Sequence, residues 1–219
     1  MPPRPLLLAL AAVWAAGCVA SAPRVPPPDE IAADPEAVEA LRDSLTAAPS
    51  AAARRAVAAR RLAAAGVTPL ADGTFAAGLE VPLVGGFVPG GQPVVRDQLV
   101  VVGASLERGA APAVLEAARV LTARSLWTTS PERTVQFVFW SGSTGDQAGV
   151  EGALRLPVWT RGAVRSVVLV GDGAAPLRVG EIPVTAVRAG GPPVALVDRV
   201  VAVAESLAAA PVPPDSTGL

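Results

Sequence analysis

QLVVVGASLERGAAPAVLEAARVLTARSLWTTSPERTVQFVFWSG, residues 98–142, is the stretch that decides the fold. Gln98 to Gly103 contains four consecutive apolar residues, Leu99 to Val102, and Arg133 to Trp140 is a second run rich in β-branched and aromatic side chains. Short apolar runs of this kind read as strands buried on both faces. Between them Ala111, Val114, Leu115, Ala118 and Leu121 recur at helical spacing within Ala110 to Arg124, and Pro112 fits a helix only in its first turn. A buried strand, a helix and a second buried strand indicate a crossover between parallel strands.

The same alternation continues outward. Upstream, Val81 to Val88 reads as a strand. Downstream, Ser166 to Val170 and Ile182 to Val187 read as two more, and Val197, Val200, Val201, Ala204 and Leu207 mark a closing amphipathic helix. Asp34-Pro35-Glu36 combines an N-cap, a first-turn proline and an acid, predicting a helix to about Ala47. A second helix is expected from Ser50 to Ala65, ending at Gly66. The fold class is therefore α/β, a three-layer αβα sandwich with a mostly parallel sheet, whose first two strands are expected to form an antiparallel edge. Sites in such sheets lie beyond the carboxyl ends of the strands.

Composition removes much chemistry. The 219 residues include no His, no Lys and no Tyr, and the only Cys is Cys18. A nucleophilic serine lacks its base, a Schiff base lacks its lysine, and a free thiolate is not expected. All 18 basic residues are Arg, spread along a chain of net charge −1. That leaves no basic footprint for nucleic acid, which is not expected as a partner.

The first segment reads as an address. Arg4 precedes an apolar stretch from Leu6 to Ala16, too short to span a bilayer, and Ala15, Ala16 and Gly17 lead into Cys18. The small residues before Cys18 resemble the lipobox cleaved by lipoprotein signal peptidase, with Ala15 where leucine is usual. Residues 1–17 are thus expected to be a signal peptide, and Cys18 the lipid attachment that makes a membrane a partner. The Pro-rich segment 18–34 is expected to be a tether, 35–210 the α/β domain and 211–219 a flexible tail. Val19 after the cysteine favours the outer membrane, by resemblance to sorting in enteric bacteria.

Several phrases, taken in order, resemble the zinc-dependent aminopeptidases that include bacterial leucyl aminopeptidases and glutamate carboxypeptidase. They are Arg60-Arg61-Leu62-Ala63-Ala64-Ala65-Gly66-Val67-Thr68-Pro69-Leu70 and Val84-Gly85-Gly86-Phe87-Val88-Pro89-Gly90, then Val101-Val102-Gly103-Ala104, then the helix and strand of residues 115–121 and 133–142. Gly180-Glu181-Ile182-Pro183-Val184 resembles a late strand of the family. The resemblance spans about Ala37 to Ala210 and implies a compressed zinc-exopeptidase fold. It also implies zinc as cofactor, held by His and carboxylate ligands.

Here the resemblance breaks at the chemistry. Ser105 stands where the family places a metal-binding His, and Ser143 and Thr144 stand where it places a general-base Glu and a metal-binding Glu. Glu107 is a candidate for the bridging Asp, and a further Asp aligns near Val170 or Asp172. The last His has no counterpart. Neutral hydroxyls do not replace imidazole and carboxylate around zinc, so neither cofactor nor catalytic residue is expected.

Competing readings concern the same loops. Ser141, Ser143 and Thr144 lie in a Gly-rich turn, but no GxSxG elbow and no activating base accompany them. Gly171-Asp172-Gly173 reads as a turn rather than a phosphate loop. Glu107, Asp146, Glu151 and Asp172 are candidates to cluster above the sheet as acid–base or cation-binding groups, against the alternative of solvated surface acids. Trp127, Trp140 and Trp159 are candidate groove-lining residues, with core packing the alternative for Trp140. The leading expectation is a catalytically inactive aminopeptidase-like lipoprotein that binds a peptide or an envelope protein. The alternatives are a residual hydrolase with a carboxylate metal site and a structural envelope component.

Overall fold

The computed structural model describes residues 26–28, 30–70, 74–77, 81–128, 131–141, 145–156, 161–172 and 178–209. The expected signal segment, Cys18, most of the tether and the C-terminal tail lie outside the described residues.

Among the described residues two helices come first. In α1, Pro35–Ala47, the Asp34 side chain accepts hydrogen bonds from the N–H groups of Glu36 and Ala37, and Pro35 occupies the first helical position, where its missing N–H costs nothing. In α2, Ala51–Ala64, Ser50 caps the start by accepting from the Ala53 N–H. The helix ends in a Schellman motif: Gly66 takes φ 74°, its N–H donates to Ala63 O, and the Val67 N–H donates to Leu62 O.

Strands then alternate with helices: β1 Thr68–Pro69, β2 Ala76–Ala77, β3 Leu83–Val88, β4 Leu99–Ser105, α3 Ala111–Ser125, β5 Thr134–Trp140 and α4 Asp146–Leu154. A 3-10 turn at Arg161–Ala163 precedes β6 Val164–Gly171, β7 Arg178–Val179, β8 Ile182–Arg188 and α5 Pro193–Ala208. The sheet runs β1-β3-β5-β4-β6-β8-β7, with β2 also on β3. β4 pairs in parallel with both β5 and β6, β6 is parallel to β8, and β3 is antiparallel to β5.

This corrects one expectation. The first two long strands do not pair with each other, because β5 lies between β3 and β4, and β4 occupies the centre. All seven residues of β4 and of β5 are buried, including the polar Ser105, Thr134 and Gln136.

The layers are unequal. Helices α1, α2, α3 and α5 cover one face through Val38, Leu62, Leu115, Val200 and their neighbours, packed on Val100, Val102, Phe137 and Val168. Among the described residues, α4 is the one helix on the other face, through Val150, Ala153 and Leu154 over Val101, Val138, Trp140 and Leu169. The crossover from β4 through α3 steps to β5, and the one from β5 through α4 steps back past β4 to β6. Two crossovers of the same hand in opposite directions must use opposite faces.

Candidate active-site crevice

Where neighbouring parallel strands send their connections to opposite faces, a crevice opens at their carboxyl ends. Here that place lies between β4 and β5, at Ser105-Leu106-Glu107 and at Ser141. The Leu106 N–H donates to Trp140 O, holding the two strand ends together.

The crevice is occupied by guanidinium groups. Arg55 of α2 donates to Ser141 Oγ at 2.6 Å. Arg54, one residue earlier, makes a 2.6 Å ion pair with Glu107 and donates to Leu45 O at 3.2 Å. Arg108 pairs with Asp146 at 2.5 Å, tying the loop after β4 to the first turn of α4. Among the described residues, no carboxylate pairs with Arg55. The first turn of α4, which begins after Gly145, carries Asp146, the partner of Arg108.

The residues singled out from sequence have distinct fates. Ser105 is buried at the end of β4, where its Oγ accepts from the Glu107 N–H at 3.3 Å. Ser143 and Thr144 lie outside the described residues, as does Trp159. Glu107 and Asp146 each face an arginine instead of each other. Asp172 is exposed on a separate cleft of about 190 Å³, lined also by Val38, Arg42, Gly190, Pro193 and Leu196. Glu151 lies beside Arg155 and accepts from Gln147.

A convergence of the four acids above the sheet is therefore not observed. Among the described residues no group of three or more His, Cys, Asp or Glu is arranged to hold a metal ion. The donor set does not fit zinc: the chain has no imidazole, the hydroxyls of Ser105 and Ser141 are neutral, and the nearest carboxylates are neutralised by guanidinium. Trp140 is fully buried, sandwiched between Gly103 of β4 and Gly149 of α4, and lines no groove.

The residues that sequence reasoning passed over are Arg54 and Arg55. Their only sequence signal is an arginine doublet just after the Ser50 cap, which puts both near the carboxyl end once α2 lies across the sheet.

The arrangement is a three-layer α/β protein with arginines of α2 seated at the switch point between β4 and β5. No family model matches the chain, and no curated protein matches it. Among solved structures it is similar to a Porphyromonas gingivalis glutaminyl cyclase, at 12% identity and TM-score 0.43 over 65% of this chain and 60% of that one. It is also similar to a Bacteroides vulgatus protein described as a Zn-dependent exopeptidase, at 16% identity and TM-score 0.44 over 64% and 60% of the two chains. The LapA aminopeptidase of Legionella pneumophila follows at 14% identity and TM-score 0.41, over 65% of this chain and 43% of that one. The chain thus spans 60% or less of each of these proteins, and at this identity the likeness assigns no activity to it.

Proposed function

We propose that this chain is a non-catalytic, aminopeptidase-like binding module that captures a carboxylate-bearing peptide or protein segment at the crevice between β4 and β5. It is held in the cell envelope, outer membrane favoured, by an acylated Cys18. The observation that carries the reading is Arg55, seated on Ser141 Oγ at the strand ends with no carboxylate partner among the described residues. A guanidinium fork suits a planar carboxylate. The neighbouring cleft of about 190 Å³ is below the usual size for a whole small-molecule ligand and suits a side chain or two of a bound segment.

The test compares tri-alanine with its C-terminal amide by calorimetric titration. A hydrogen bond to a charged group contributes about 1.5–3 kcal/mol, so the free acid should bind roughly 10- to 100-fold tighter than the amide. Arg55→Gln should abolish that preference. Equal affinity for acid and amide would refute the carboxylate reading.

A second measurement addresses hydrolysis. Incubation with Zn²⁺, Mn²⁺ or Ca²⁺ should leave far less than one bound ion per chain and no chelator-sensitive release of amino acids from peptides. Stoichiometric metal with turnover would overturn the non-catalytic reading. For the anchor, Cys18→Ser should move the chain from the membrane to the soluble fraction.

A further inference from the structure

Among the described residues, three large apolar side chains are strongly exposed: Val94 at 85%, Leu126 at 72% and Trp127 at 49%. All three lie at one end of the molecule. Val88 of β3 pairs with Val135 near the start of β5, so the loop holding Val94, which runs on to β4, crosses the amino end of the parallel strands. Helix α3 leaves the carboxyl end of β4 and finishes at Ser125, which brings Leu126 and Trp127 to the same amino end.

The chain also enters the domain there. Asp34 N–H donates to Glu116, Ala32 O accepts from Arg119 at 2.7 Å, and Ile31 O accepts from Arg124 at 3.2 Å. Read backward from Asp34 to Ile31, these contacts step along α3 toward its C-terminus. Turn hydrogen bonds from Glu30 to Pro27 O and from Ile31 to Pro28 O keep the proline segment beside them. Only eight positions separate Pro26 from Cys18, a reach of at most about 30 Å for extended chain.

From this coincidence of entry point and apolar side chains we infer that the amino end of the sheet, through Leu126, Trp127 and Val94, rests on the lipid bilayer, with the arginine crevice facing away from it. The inference depends on the acylated Cys18 of the proposed function. A tryptophan with an apolar body and a polar N–H suits the boundary between headgroups and acyl chains. The surrounding charges are mixed, with Arg96 and Arg165 offset by Asp97 and Glu132, so the contact does not require anionic lipid. Three side chains bind a membrane weakly alone. A short tether makes the contact effectively intramolecular.

The test uses the full acylated chain on neutral phosphatidylcholine vesicles whose acyl chains carry bromine, which quenches nearby tryptophan. Emission should be quenched, the quenching should fall at least twofold in Trp127→Phe, and iodide should reach Trp127 several-fold less well than in soluble Cys18→Ser. Quenching unaltered by Trp127→Phe, or equal access of iodide in both states, would overturn the docking. Flotation separates the two failures. A chain that floats while Trp127 stays open to iodide refutes the docked face alone, whereas one that does not float, and carries no lipid mass on its N-terminal peptide, refutes the anchor and the docking together.

Discussion

Gly149→Ala should destabilise the folded chain by about 1–3 kcal/mol, although alanine is the better helix former by roughly 1 kcal/mol. The two effects oppose each other, and packing decides. A Cβ at Gly149 would lie 2.2 Å from Cδ2 of the fully buried Trp140, whose ring also packs so closely on Gly103 that a Cβ there would lie 2.7 Å from Cζ3. Helix α4 would have to lift off the sheet face against which it packs.

Trp140→Ala should cost about 3–5 kcal/mol through the cavity it leaves. Combined with Gly149→Ala the loss should be smaller than the sum, because the new methyl group enters the vacated space. Urea unfolding of the two single variants and the double variant measures this. Gly149→Ala raising the midpoint, as propensity alone dictates, would show that the ring has room to move.

Glu116→Ala is the second large effect expected, a loss of about 3 kcal/mol, at the low end for breaking a buried ion pair. The Glu116 side chain has no exposure, whereas the side chains of Arg61 and Arg119 keep 27% and 29%, so water partly compensates the arginines left behind. Its carboxylate accepts from the Asp34 N–H at 3.0 Å, from Arg61 at 2.9 Å and from Arg119 Nε and Nη2 at 2.9 and 2.6 Å. One group therefore joins the entry of α1, the end of α2 and the middle of α3.

Burial alone would push this carboxyl up, but the hydrogen bonds from Arg119, Asp34 and Arg61, with the Arg119 charge, hold it below its ordinary value. A carboxyl held lower in the folded chain than in the unfolded chain stabilises fully above about pH 4.3, and the contribution is lost as pH falls through the folded value. Glu116→Gln should thus lower stability at pH 7 and flatten its decline between about pH 5 and 3. Thermal melts across that range give the comparison. An unchanged acid limb would mean that Glu116 titrates alike in both states.

Much of the fold was legible because burial leaves a periodic trace. The apolar-rich runs of β4 and β5 and the helical spacing of α3 were read near their observed bounds, as was α1 from the Asp34-Pro35 start. Helix α4 was missed, and Trp140 explains why: Gly149 and Gly152 lower helix propensity within nine residues, and Gly149 is there for the ring. The position of β4 was also missed, since apolar runs report burial on two faces but not which strands are neighbours. At the crevice, the sequence reading singled out Ser105, which lies at the carboxyl end of β4. It did not reveal that arginines from α2 occupy the place, because a doublet of charge carries no information about what it faces.

The centre of the sheet has a consequence for the newborn chain. Leu99–Ser105 obtains its two neighbours from residues 134–140 and 164–171, both synthesised later. Until some 65 further residues have emerged, a largely apolar ribbon offers unpaired backbone on both edges, the condition in which chains associate with one another. Cellular yield should therefore depend on chaperones that shield this ribbon during biogenesis more than on the stability of the finished molecule.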